Sequence, residues 1–65
     1  MRVQINGAEF VLPANCVVSE AMKIYQAQMP YAVMINQAFV PKSQHADHFL
    51  KDGDRIDVIG AIQGG

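Results

Sequence analysis

The dipeptide Asn6-Gly7 restricts the possible folds of this chain more than any other stretch. A two-residue type I′ turn needs positive φ at both central positions, and Asn-Gly is the pair best suited to it. Val3 and Ile5 alternate with Arg2 and Gln4 just before it, the period of a half-buried strand. A two-residue turn also fixes the pairing. Ile5 then faces Ala8, Val3 faces Phe10 and Met1 faces Leu12, which puts all six on one face and Gln4 with Glu9 on the other. Turn chemistry and hydrophobic pattern point to the same β-hairpin, and that agreement is what marks a specified element.

Pro13-Ala14-Asn15 breaks the second strand. From Val17 to about Gln28 the pattern is helical. Val18, Ala21, Met22, Tyr25 and Met29 form one apolar stripe, with Ser19, Glu20, Lys23 and Gln26 on the other side. Cys16 or Val17 stands where a capping Ser, Thr or Asp would be expected, leaving Asn15 or Ser19 as substitutes. Pro30 is expected to end the helix, because a proline disfavours helical geometry in its predecessor. Tyr31 to Asn36 is a strand with Val33 and Ile35 inward. Asn36-Gln37 is a turn, and Phe39-Val40 a short return strand stopped by Pro41. Lys42 to His48 is polar and irregular, with room for one helical turn, before Phe49 and Leu50 return to the core. Asp52-Gly53-Asp54 is a tight turn. Arg55 to Ala61 is the last strand, with Ile56 and Val58 inward.

One helix in a chain this small has only a sheet to bury its stripe against. If the first and last strands lie parallel and adjacent at the centre, the helix covers one face of the sheet. The fold class is therefore α+β: a ubiquitin-like β-grasp, with a mixed sheet, one main helix packed on one face and a flexible C-terminal tail. Residues 1–61 form the domain and 62–65 the extension. An open antiparallel α+β sandwich of other topology is the alternative.

At 65 residues, 51% of them hydrophobic, the chain makes one small domain with one core. A formal net charge of -1 argues against phosphate neutralisation, and so against a nucleic-acid binder. The apolar runs are too short to span a membrane. Met1 leads straight into a strand pattern, which leaves no room for a signal peptide. A single cysteine cannot build a disulfide framework within the chain, and a reducing cytoplasm is the expected setting. No His-Glu-x-x-His, phosphate-binding glycine loop, Cys-x-x-Cys or Gly-x-Ser-x-Gly is present. No catalytic residue is assigned, and the chain is expected to be acted on by enzymes rather than to be one.

Several residue groups carry a functional and a plainer reading. His45 and His48 flank Asp47 and could share a metal on a helical turn; two solvated surface histidines are preferred, because a zinc site needs further ligands, and no metal is expected. Cys16 precedes a helix start, which would lower its pKa; a small buried apolar residue is preferred, since no basic group accompanies it. Met22 and Met29 read as core filler on the helix stripe. Met34 should point out of the sheet, with Val11 and Ile59, as an apolar patch for a partner protein or as scattered surface residues. Asp52 and Asp54 read as solvated turn carboxylates, with Asp57 beside them on the last strand.

The sequence closes on Ile62-Gln63-Gly64-Gly65. Two glycines give a folded domain nothing to bury, but they let a narrow channel in a partner close around the backbone. Four extended residues reach up to about 13 Å. The terminal carboxylate of Gly65 would be ionised at neutral pH, its ordinary pKa being roughly 3.5. A carboxylate is a poor acyl donor until it is activated, for example as an acyl-adenylate. No nucleotide site is legible in this chain, so ATP would be used by a partner and no cofactor is bound.

The β-grasp element order, Ile35-Asn36-Gln37 followed by Val40-Pro41-Lys42, the turn Leu50-Lys51-Asp52-Gly53-Asp54, the apolar strand Ile56 to Ile59 and the closing Gly64-Gly65 together resemble the ThiS family, the sulfur carriers of thiamine biosynthesis. The resemblance covers nearly the whole chain. It implies that a ThiF-like enzyme adenylates Gly65, with Gly64, Gln63 and Ile62 in the partner's channel. It further implies that a cysteine desulfurase relay supplies sulfur to make a thiocarboxylate, and that a ThiG-like thiazole synthase takes the sulfur. The free chain would be a monomer. Val17 departs from the family's commoner Thr or Ser at that position. The small subunit of molybdopterin synthase is similar in fold and tail, and a ubiquitin-like modifier or a plain β-grasp binding module are further alternatives.

Overall fold

The computed structural model describes residues 1–60. Ala61 and the expected tail, Ile62, Gln63, Gly64 and Gly65, lie outside the described residues, and with them the boundary between domain and extension. The elements are β1 (Arg2–Ile5), β2 (Ala8–Val11), α1 (Val18–Tyr25), β3 (Tyr31–Ile35), β4 (Ala38–Val40), a 3-10 turn (Lys42–Gln44) and β5 (Arg55–Gly60). They build one five-stranded sheet in the order β2-β1-β5-β3-β4. β1 and β5 run parallel at its centre, and the other pairings are antiparallel. This is the β-grasp arrangement.

The first hairpin has the expected register, with Ile5 opposite Ala8 and Val3 opposite Phe10. Asn6 and Gly7 have φ of 51° and 84°. The second hairpin repeats the geometry without a glycine: Asn36 and Gln37 have φ of 51° and 71°. Both turns place an asparagine beside β5. The Asn6 side chain accepts from the Val58 N–H at 2.8 Å and donates to the Val58 carbonyl at 3.2 Å, and it also donates to the Tyr25 hydroxyl. The Asn36 side chain accepts from the Arg55 N–H at 3.0 Å and donates to the Asp54 carboxylate. Each amide thus extends the ladder on one side of β5 past the end of the neighbouring strand.

The core is Val3, Ile5 and Leu12 from the first hairpin, Val18, Ala21 and Met22 from α1, and Val33, Ile35, Val40, Leu50 and Ile56, with Cys16 beside them. Met1, Phe10, Tyr25 and Val58 pack at its margin. Phe10 meets Tyr25 edge-on at 5.5 Å between ring centroids. Ala8 alone of the six expected inward residues is exposed, because it stands at the turn end of edge strand β2.

The helix differs from expectation at both ends. It stops well before Pro30: Gln26 takes a left-handed φ of 64° and caps the last turn through its N–H to the Lys23 and Met22 carbonyls. Met29 therefore falls beyond the helical period and is 61% exposed, not core. At the other end Val17 is the N-cap and makes no side-chain capping bond, and neither Asn15 nor Ser19 substitutes for it. Instead the Val18 N–H donates to the His48 carbonyl at 3.0 Å and the Ser19 N–H to the His45 carbonyl at 2.9 Å. A distant loop caps the helix, and a Val17–Phe49 bridge joins the two segments. In that extended bridge neighbours alternate, so Leu50 is buried while Phe49, expected in the core, is 58% exposed.

Substituting Asn6 or Asn36 by glycine keeps the positive φ and removes only the amide. Each change is expected to lower stability by about 1–2 kcal/mol, the worth of two side-chain hydrogen bonds: both to the Val58 backbone for Asn6, and one to the Arg55 N–H and one to the Asp54 carboxylate for Asn36. Urea unfolding would show it as a lower midpoint at unchanged slope; an unmoved midpoint would mean the amides do not hold β5.

Candidate functional site

Strand alternation divides the sheet. Val3, Ile5, Val33, Ile35, Ile56 and Val58 face the helix, and their neighbours in sequence face away from it. The three residues expected on the outer face are on it. Ile59 is 55% exposed and lies opposite Ala32; Met34 is half-buried and lies opposite Phe39 on one side and Asp57 on the other. Phe39 is 64% exposed. Ala32, Met34, Phe39 and Ile59 are thus neighbours across β4, β3 and β5. Phe39 was not expected here. The signal that could have found it is its register with Met34 across the Asn36-Gln37 turn.

Val11 shares the outer face but not this patch. It pairs with Arg2 at the far corner of the sheet. Between it and the patch run Gln4, Arg55 and a 3.4 Å ion pair from Arg2 to Glu9. The patch lies toward the Gly60 end of β5, where the described residues end. Gly65, Gly64, Gln63 and Ile62, the residues expected to carry the chemistry, lie outside the described residues.

The other candidates resolve differently. His45 is buried, not solvated; its Nε2 is 3.0 Å from the Val40 carbonyl and its ring lies parallel to that of Tyr31. It is the tether between β4 and the loop that caps the helix. His48 is half-buried and gives its carbonyl to Val18. Among the described residues no group of three or more His, Cys, Asp or Glu could hold a metal. Asp54 is also buried, not solvated. It accepts from the Lys51 N–H and from Asn36, which fixes the turn that feeds β5. Asp52 is exposed and accepts from the Arg2 N–H at 2.7 Å. No helix among the described residues is long and apolar enough to cross a membrane.

Comparison with known proteins gives three results. A model of the ThiS family matches residues 3–65. The chain is 35% identical over 66 residues to the sulfur carrier protein ThiS of Escherichia coli (strain K12), covering 100% of both. Its fold matches the crystal structure of the thiamine biosynthesis protein ThiS from Geobacter metallireducens with a TM-score of 0.82 at 20% identity, over 100% of each chain.

Cys16 is the small buried residue of the preferred reading, not a reactive thiol. Burial pushes the thiol up, and the Glu20 carboxylate adds to the rise. The thiolate is the reactive form, so this cysteine is a packing residue. At pH 8 iodoacetamide should alkylate it on the order of tenfold more slowly in the native protein than in urea. Its contribution to stability is fully present below the free-thiol pKa of roughly 8.5 and is lost as pH rises above it, because the unfolded chain ionises first. Cys16→Ala should flatten that alkaline slope in a urea-midpoint titration.

Proposed function

The chain belongs to the ThiS family, and from that membership we propose that it is a sulfur carrier for thiamine biosynthesis, a protein cosubstrate rather than a catalyst. The observation that carries this reading is the match to a curated sulfur carrier over the whole of both chains, together with a family match that runs through to Gly65.

The domain is a rigid handle and the chemistry belongs to the terminus. A Gly65 carboxylate oxygen attacks the α-phosphorus of ATP in a ThiF-like enzyme. The bond to the β-phosphate breaks and pyrophosphate leaves. A persulfide sulfur from a cysteine desulfurase relay then attacks the acyl carbon and displaces AMP. A thiol cleaves the resulting S–S bond and is itself oxidised to a disulfide, which leaves the thiocarboxylate. A ThiG-like thiazole synthase takes that sulfur as the nucleophile of ring formation. The two glycines give both enzymes an unhindered acyl group, since neither carries a Cβ. The outer-face patch of Met34, Phe39 and Ile59, toward the Gly60 end of β5, is the docking surface; exposed apolar patches of this kind mark partner sites. The setting is cytoplasmic and the free carrier a monomer.

Incubation with ATP, a ThiF-class enzyme and a persulfide donor should raise the intact mass by the difference between a sulfur and an oxygen atom. An unchanged mass beside an enzyme that modifies its own cognate carrier would overturn the reading. Isopeptide adducts would point to a modifier instead. Deleting Gly65 should abolish the conversion and leave thermal unfolding unchanged. A strain lacking the chain should regain growth on the thiazole precursor, and not on molybdenum cofactor.

A further inference from the structure

Two dipeptides share a latent chemistry. In Asn6-Gly7 and Asp52-Gly53 a side-chain acyl carbon precedes a backbone nitrogen whose own residue has no side chain to block attack, and ring closure between the two gives a succinimide. At Asp52 the acyl group is an anion, and the Gly53 N–H is engaged by the Arg2 carbonyl at 2.7 Å. Asn6 carries a neutral amide, the thermolabile group of the two. It is exposed together with Gly7, and the Gly7 N–H donates to no backbone carbonyl among the described residues. Two features hold the pair shut. Ring closure needs the Asn6 Cβ and the Gly7 nitrogen on the same side of the Cα–C bond. With Asn6 in left-handed geometry, at a φ of 51°, they lie on opposite sides. The amide is also tied down: Oδ1 accepts from the Val58 N–H at 2.8 Å, and Nδ2 donates to the Val58 carbonyl at 3.2 Å and to the Tyr25 hydroxyl at 2.9 Å. Nδ2 is the atom that would have to leave.

We propose that Asn6 is a modification site, a deamidation that β5 holds off and that begins when β5 detaches from the first turn. The site is independent of the carrier reading. Once Asn6 is free to rotate, the Gly7 nitrogen attacks its Cγ and passes its proton through water to Nδ2. The N–Cγ bond forms, the Cγ–Nδ2 bond breaks and ammonia leaves. Water then opens the ring at Cγ to give aspartate, or at the Asn6 backbone carbonyl carbon to give isoaspartate. No oxidant or reductant takes part. Neither product restores the clamp. Aspartate sets an anion against the Val58 carbonyl, and isoaspartate adds a carbon to the backbone of a two-residue turn, whose geometry fixes the register of the hairpin. A domain that has opened at β5 is thereby marked and kept from closing in its native register.

The test is a time course of the purified full chain at mildly alkaline pH, in buffer and in unfolding urea, read by intact mass and by peptide mapping for aspartate and isoaspartate at Asn6. Modification should be on the order of tenfold slower in buffer, the factor that two or three side-chain hydrogen bonds supply. Asn36, whose neighbour Gln37 carries a side chain, is the internal control and should keep its amide. Tyr25→Phe removes one bond to Nδ2 and should speed the reaction in buffer about threefold, with the rate in urea unchanged. Ile35→Val trims the core without touching the amide. Its rate in buffer should stay within about twofold of wild type, because a local opening, not global unfolding, exposes the site. If Tyr25→Phe is misfolded by thermal unfolding, Phe10→Leu takes its place, since Phe10 packs edge-on against Tyr25. Equal Asn6 rates in buffer and urea, no acceleration by the folded Tyr25 or Phe10 variant, or a deamidated chain with the wild-type urea midpoint overturns the proposal.

Discussion

The fold depends on how β5 is held. This strand is the last of the described elements in chain order and the middle one in space, with β1 on one side and β3 on the other. β1 reaches along only part of it, since their paired residues end at Ile5 and Ile56. Beyond that point the Asn6 amide continues the ladder by bonding both backbone groups of Val58. At the other end and on the other side, the Asn36 amide accepts from the Arg55 N–H, while the Arg55 carbonyl accepts from the Asn36 backbone N–H. A turn asparagine in left-handed geometry points its amide along the strand direction, where a glycine would leave backbone groups to water. The same two residues that close the hairpins therefore also set the position of the strand between them.

A second economy appears at the helix start. A domain this small cannot leave orphan N–H groups at the end of its one helix without losing an appreciable part of its margin. Val17 supplies no cap, and the carbonyls of His45 and His48 do so instead. That loop is in turn held by the His45 ring on Val40 and by the Leu50 N–H on the Cys16 carbonyl. Buried polar groups in this protein are joints between segments: His45 between loop and β4, Asp54 between the last turn and the second hairpin. Each has hydrogen-bond partners, which is the condition on which a small core tolerates them.

These joints also bear on the proposed role, in which a terminus worked on by other proteins needs a surface that stays the same from one partner to the next. The outer sheet face is backed by the core, and it combines an apolar cluster with charges on β5. Gly60 is the end of β5 as described, the strand whose register both asparagines fix. An error in the position of β5 would displace Ile59 from Met34 and Phe39, so the clamps also hold the outer-face cluster together.

The sequence by itself determined the first hairpin and its register, the inward set Val3, Ile5, Val33, Ile35 and Ile56, the second turn, and the β-grasp order. These follow from turn chemistry and from alternation over neighbouring residues, which are local. The closing Gly64-Gly65 and the family resemblance were legible there too, while their geometry lies outside the described residues. What only the tertiary structure decided were features whose partners lie far apart in the chain. Periodicity carried the helix on to Met29, but a left-handed Gln26 ended it. A bridge to Val17 turned Phe49 outward, and a carbonyl on β4 drew His45 in. Asn6 met Val58 across 52 residues, and Asn36 met Arg55 across 19. A polar side chain reads the same in sequence whether its partner is water or a distant backbone group, and only packing brings that second group within hydrogen-bond reach.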